Sequence, residues 1–164
     1  MAILPIRVFG DPVLRTVSAP VEEIDDRIKR LVEDMIETMY DAPGVGLAAP
    51  QVGVGRRIFV FDIQDDQGPR TVINPELVET SGEWEYDEGC LSVPEYFWPI
   101  IRPAWAVVRG LGLDGTEVQY GGDDLLGRVL LHEFDHLNGT LLLERLDRGA
   151  RRKALRAIRE AALG

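Results

Sequence analysis

Between Asp25 and Tyr40 the apolar residues Ile28, Leu31, Val32, Met35, Ile36 and Met39 recur at a spacing that lines one face of a helix. The pattern breaks at DAPGVG, where Pro43 and two glycines open a loop running to Pro50. RRIFVFDI (56–63) is rich in β-branched and aromatic residues and predicts a strand, and TVINPEL (71–77) begins as another. The stretch 105–122 predicts two strands meeting at Asp114-Gly115, a hairpin signal. In DDLLGRVLLHEFDHLNG (123–139), carboxylates open a helix and Asn138-Gly139 suits its left-handed end. A last helix, about 148–163, sets Ala154, Leu155, Ile158 and Ala162 on one side and arginines on the other.

Composition narrows the class. A chain of 164 residues, 45% of them hydrophobic, can bury one sizeable core, so a single domain over 1–164 is expected. Eighteen basic residues against 28 acidic ones give a net charge of −10, which argues against DNA or anionic membrane as the general partner. The exception is local: residues 144–164 carry +4 and the rest −14. The only cysteine, Cys90, cannot form an intramolecular disulfide, so a reducing cytoplasm is the expected compartment. The opening residues lack the basic and long apolar regions of a signal peptide, and no apolar run approaches the length of a membrane span.

HEFDH (132–136) holds both histidines. Four residues apart on a helix, His132 and His136 project from one face and can share a metal ion, with Glu133 beside it to take a proton from water. The class depends on the third ligand. A histidine six residues further on would make one kind of metalloprotease, but position 142 is leucine. Glu160 could serve from a later helix, yet among Arg156, Arg159 and Lys153 it reads better as a surface ion pair. Cys90, in EGCLS, remains: two imidazoles and one thiolate leave a fourth position for water, the layout of a catalytic site.

Three segments, GVGLAAPQ (44–51), EGCLS (88–92) and HEFDH (132–136), together resemble the peptide deformylase family in order and separation. The resemblance implies an α+β fold, with antiparallel β-sheets packed around a central HExxH-bearing helix, one helix in the N-terminal half and one at the C-terminus. It implies removal of the formyl group from N-formylmethionine on newly made polypeptides. Cys90, His132 and His136 would bind one divalent metal and Glu133 would be the general acid/base. Gln51, through its side-chain amide, and Leu91, through its backbone N–H, would hold the developing oxyanion. Gly44, Val45 and Gly46 would flank the substrate peptide, joined by Glu88 and Gly89, with Val129 as a pocket wall. The thiolate–imidazole set suits iron, zinc, nickel or cobalt alike, and the resemblance favours ferrous iron as the working metal.

Gly44 and Gly46 suggest close approach of another backbone, and a phosphate loop is disfavoured because no GK[ST] follows. Tyr96, Phe97 and Trp98 read either as an apolar rim to the methionine pocket or as core cover. Arg128 could reach the pocket mouth or pair with an acid, and Glu88 and Asp135 could orient ligands, Asp135 also by pairing with Arg102. Arg151, Arg152, Lys153, Arg156 and Arg159 read as a solvated face or as a dock for ribosomal RNA. The competing readings are an HExxH endopeptidase, which would tolerate loss of Cys90, and a metal-stabilised ribosome-binding module, which would tolerate Glu133→Gln.

Overall fold

The computed structural model describes residues 2–163; Met1 and Gly164, the ends of the expected domain, lie outside the described residues. The chain is α+β. Its elements are α1 (Asp26–Asp41), β1 (Gly46–Ala48), β2 (Ile58–Phe61), β3 (Arg70–Ser81), β4 (Trp84–Cys90), β5 (Val93–Arg102), β6 (Trp105–Leu111), β7 (Glu117–Gly122), α2 (Asp124–Leu137) and α3 (Arg148–Leu163). Five strands form one antiparallel sheet in the order β1-β2-β3-β6-β7, while β4 and β5 form a separate two-stranded ribbon.

β2 shows how the sequence builds this arrangement. Its residues alternate between two cores: Ile58 and Val60 face Val32, Met35 and Met39 of α1, whereas Phe59 and Phe61 face Val129, Leu130 and Leu137 of α2. Covering both faces requires an unbroken apolar run, and IFVF supplies one. α2 therefore lies against the main sheet, with the ribbon on its other side. A third cluster joins Ile100 of the ribbon to Leu142, Leu143, Leu146 and Ala154, so α3 packs against the buried face of the ribbon, while Phe97 and Ile101 on its other face are exposed.

Several expectations need correction. The 44–50 loop contains β1, followed by a 3₁₀ turn over Ala49–Val52. β3 does not stop near Leu77 but runs on to Ser81 through two register shifts against β6. At the first shift Asn74 sits at φ 53°, and its side chain is bonded to both the N–H and the carbonyl of Val21. Neither β4 nor β5 follows from hydrophobic alternation. The one buried residue of β4 is Glu88, so its pattern is the reverse of an ordinary half-buried strand. On α3, Ala154 is buried and Leu155 and Ile158 pack beside it, but Ala162 is exposed.

Candidate active site

α2 begins at Asp124 and exposes almost nothing from Gly127 onward, because the main sheet and the ribbon cover it from both sides. His132 and His136, one turn apart on this helix, place their Nε2 atoms 3.2 Å from each other. Cys90, at the end of β4, brings its Sγ to 3.4 Å from His136 Nε2, and the three donor atoms all lie within 4.8 Å of one another. Metal–nitrogen bonds of about 2.05 Å and a metal–sulfur bond of about 2.3 Å in a tetrahedron separate two nitrogens by about 3.3 Å, and nitrogen from sulfur by about 3.6 Å. The spacings of His136 from His132 and from Cys90 are each within about 0.2 Å of those values, so the donor set fits a divalent ion.

Electrostatics prepare the same atoms. Burial would push the Cys90 thiol up, but His136 and His132 outweigh it and hold the pKa well below the usual thiol range. His132 Nδ1 lies 2.6 Å from Glu88 Oε2; donation there keeps the proton on Nδ1 and directs the Nε2 lone pair towards Cys90 and His136. Glu88 is fixed in turn by Arg102, with contacts of 2.9 and 2.8 Å, and by Arg128 at 3.0 Å. Burial would raise the Glu88 pKa, yet His132 and Arg102 hold it far below the ordinary carboxylate range. Arg102 continues to Asp135, which also takes two bonds from Arg145. The pairing of Asp135 with Arg102 foreseen in the sequence is thus present, as one part of a longer charged chain.

Glu133 is 4% exposed; its Oε2 lies 3.9 Å from His132 Nε2, and its Oε1 has no hydrogen-bond partner among the described residues. Burial pushes its pKa up. Its closest constraint is Gly46: a Cβ there would sit 2.6 Å from Glu133 Oε2. Gly44 likewise makes room for Leu91, whose Cδ1 would be 2.8 Å from an added Cβ. Each glycine thus lets a side chain of the site lie directly against the backbone of the 44–46 segment. Gln51 is buried in the 3₁₀ turn after β1. Its Oε1 accepts from Ala48 N at 2.9 Å, and its Nε2 lies 3.1 Å from Ser92 Oγ and 3.6 Å from Cys90 Sγ.

These groups border a cavity of about 620 Å³. Gly44, Val45 and Gly46 line one side and Glu88, Gly89, Cys90 and Leu91 another, with Val129, His132 and Glu133 from α2. His136 adjoins through its contacts to Cys90 and His132. Tyr96 and Phe97 also line the cavity, Phe97 being 68% exposed, and the ring of Phe97 occupies the space that a Cβ on Gly89 would need. Trp98 instead packs in the cluster beneath α3, so of the two alternatives for this segment it takes the core-cover one, while Tyr96 and Phe97 take the rim. Glu160 is exposed and makes no ion pair with Lys153, Arg156 or Arg159 among the described residues, so helix spacing alone did not create that bridge.

The polypeptide deformylase family model matches residues 3–152. The chain belongs to the polypeptide deformylase family. It is 50% identical over 161 residues to a peptide deformylase of Acidothermus cellulolyticus, covering 98% of this chain and 88% of that one. Its fold is similar to that of the Legionella pneumophila peptide deformylase, with a TM-score of 0.92 and 40% identity over 98% of this chain and 95% of that one. The Ehrlichia chaffeensis enzyme, solved in complex with actinonin, gives the same TM-score and identity over 98% of both chains. Deformylases are metal-dependent hydrolases, and Cys90, His132 and His136 form the matching candidate metal centre.

Arg128 and Ser92 are site residues whose partners sequence reasoning did not fix, and for Arg102 it offered Asp135 but not Glu88. The usable signal for Arg128 was its place one turn before His132 inside an otherwise apolar run. Ser92 shares the EGCLS segment with Cys90, but its bond to Gln51 spans 41 residues and left no trace in spacing.

Proposed function

We propose that Cys90, His132 and His136 hold the metal with which this deformylase removes the formyl group from N-formylmethionyl nascent peptides, and that the chain acts as one catalytic domain. Convergence of three donors at tetrahedral spacing supports this assignment best. A divalent ion held there supplies Lewis acidity, making water a nucleophile near neutral pH and drawing electrons from the formyl carbonyl. Ferrous iron is the working metal we favour; zinc, nickel and cobalt suit the same thiolate–imidazole set.

The chain's own residues do the rest. The methionine side chain enters the cavity against Val129, and the peptide backbone runs beside Gly44, Val45 and Gly46, since β1 is an edge strand paired only with β2. Glu88 and Gly89 form the facing border, Glu88 with its carboxylate already committed to His132, Arg102 and Arg128. Gln51 Nε2 and the Leu91 N–H donate to the carbonyl oxygen as it gains charge, a contact stronger in the transition state than in the bound substrate. Glu133 takes the proton of the attacking water and passes it to the departing amine; burial makes it a stronger base than an exposed glutamate. A C–O bond forms, the formyl C–N bond breaks, and formate and a free amino terminus leave.

The test uses anaerobically prepared protein with formyl-Met-Ala-Ser and an acetylated control, reading formate and bound metal together. Formate from the formyl peptide alone is expected, and Glu133→Gln should retain metal while losing nearly all turnover. Wild-type turnover in Glu133→Gln would refute the proton-carrier role, and internal cleavage with Cys90 replaced would favour an endopeptidase.

The exposed cations Arg151, Arg152, Lys153, Arg156 and Arg159 support docking of α3 on ribosomal RNA in the cytoplasm. No helix among the described residues is long and apolar enough to cross a membrane. Because Ala154 is buried, truncating α3 would uncover core, so charge reversal at the five cations is the better test. It should weaken ribosome binding in a salt-dependent manner and leave small-peptide turnover intact.

A further inference from the structure

The ribbon that carries Cys90 shares no strand pairing with the main sheet, so its distance from α2 is set by side chains. One of them reaches both of its strands. Arg128, on α2 and 3% exposed, donates to Glu88 Oε1 and to the Ile100 carbonyl, each at 3.0 Å, and to the Trp84 carbonyl at 2.6 Å. Its guanidinium lies 5.0 Å from the centre of the Trp84 ring and 5.6 Å from that of Tyr86. Trp84, Tyr86 and Glu88 belong to β4, the strand that ends at Cys90, and Ile100 is the partner of Tyr86 on β5. Arg102 also grips Glu88, but from within the ribbon, and it meets α2 only at Asp135. Arg128 makes its attachment one turn before His132, at the substrate side.

The geometry points to Arg128 as a positioning residue: from the helix bearing both histidines, it seats the Cys90 strand at coordination distance and holds Glu88 on His132 Nδ1, spacing the three donors before an ion arrives. This rests on the metal assignment proposed above. A guanidinium suits the task because its planar fork serves three acceptors at once, whereas a lysine ammonium on a flexible stem cannot reproduce that fixed set.

Cobalt binding provides a readout apart from turnover. Arg128→Met keeps an unbranched stem against the cavity but removes all three bonds; its Co²⁺ dissociation constant, measured anaerobically by chelator competition, should rise about 10- to 100-fold, the range typical of lost outer contacts to metal ligands. The visible absorption of the cobalt protein should change with it, reporting altered ligand geometry. Arg128→Lys should fall between Met and wild type, and it decides the matter if the Met variant fails to fold. Val32→Ala, a core change on α1 away from the site, should lower stability and leave cobalt affinity and spectrum unchanged. Wild-type cobalt affinity and spectrum in both Arg128 variants would overturn this inference alone. Cobalt affinity that survives Cys90→Ser would overturn the metal assignment, and this inference with it.

Discussion

Gly46→Ala tests how tightly the proton carrier is placed. Gly46 does not have the positive φ that would itself bar alanine, so the perturbation acts through the new methyl group alone. That methyl would lie 2.6 Å from Glu133 Oε2, 3.0 Å from Cδ and 3.1 Å from Cγ, whereas ordinary van der Waals contact begins at 3.4 Å. The carboxylate must retreat by about 0.8 Å, and because Glu133 is buried between packed elements the movement shifts the proton acceptor itself. A misplacement near 1 Å costs about 10²-fold in rate, or about 2.7 kcal/mol of transition-state stabilisation. The assay is formate release from formyl-Met-Ala-Ser with metal content measured in parallel. We expect kcat to fall about 100-fold, with the metal retained and KM little changed. Gly44→Ala is the comparison: its methyl meets the flexible end of Leu91, which can swing aside, so its loss should stay below about tenfold. A Gly46→Ala enzyme within about threefold of wild type would refute the claim that the glycine is kept for Glu133.

Three further outcomes follow from the same geometry. Cys90, the sole thiol, should be alkylated by iodoacetamide near pH 7 in metal-stripped protein and protected once metal is restored, seen as a single mass increment. Burial would raise the Asp135 pKa, but Arg145 and Arg102 outweigh it and lower it below its unfolded value; its stabilising contribution is therefore full above about pH 5 and lost as the pH falls through the folded value. Thermal melts from pH 6 to pH 3 should accordingly show a shallower acid decline in Asp135→Asn, which begins less stable; an unaltered slope would contradict the linkage. Leu130→Ala, fully buried between α2 and the main sheet, should cost about 2–5 kcal/mol in urea unfolding.

Period and punctuation made α1, β2, the β6–β7 hairpin and α2 readable, because each puts apolar residues where geometry requires them. β4 and β5 hid for the opposite reason. Their key inward residue is Glu88, made tolerable by Arg102, Arg128 and His132, and β5 contains Pro94 and Pro99, which a two-stranded ribbon can accommodate. β1 was too short, and began with too free a residue in Gly46, to show as a strand. At the site, the three motifs marked Cys90, His132, Glu133, His136 and Gln51, since each belongs to a local pattern. Arg128, Arg102 and Ser92 act on partners 14 to 44 residues away; apart from the Arg102–Asp135 pair, nothing in their neighbours announces which atoms they will meet.

The unequal origin of the metal donors has a consequence for how the protein loosens. Two of them need only α2 to stay wound, and the third arrives on a hairpin with its own ladder of bonds. An ion bridging the two pieces adds one more tie across a seam that Arg128 and Arg102 already hold, without building either piece. Stripping it with a chelator should therefore leave both pieces folded and in contact, while amide exchange quickens first across residues 84–102 and the five-stranded sheet keeps its protection.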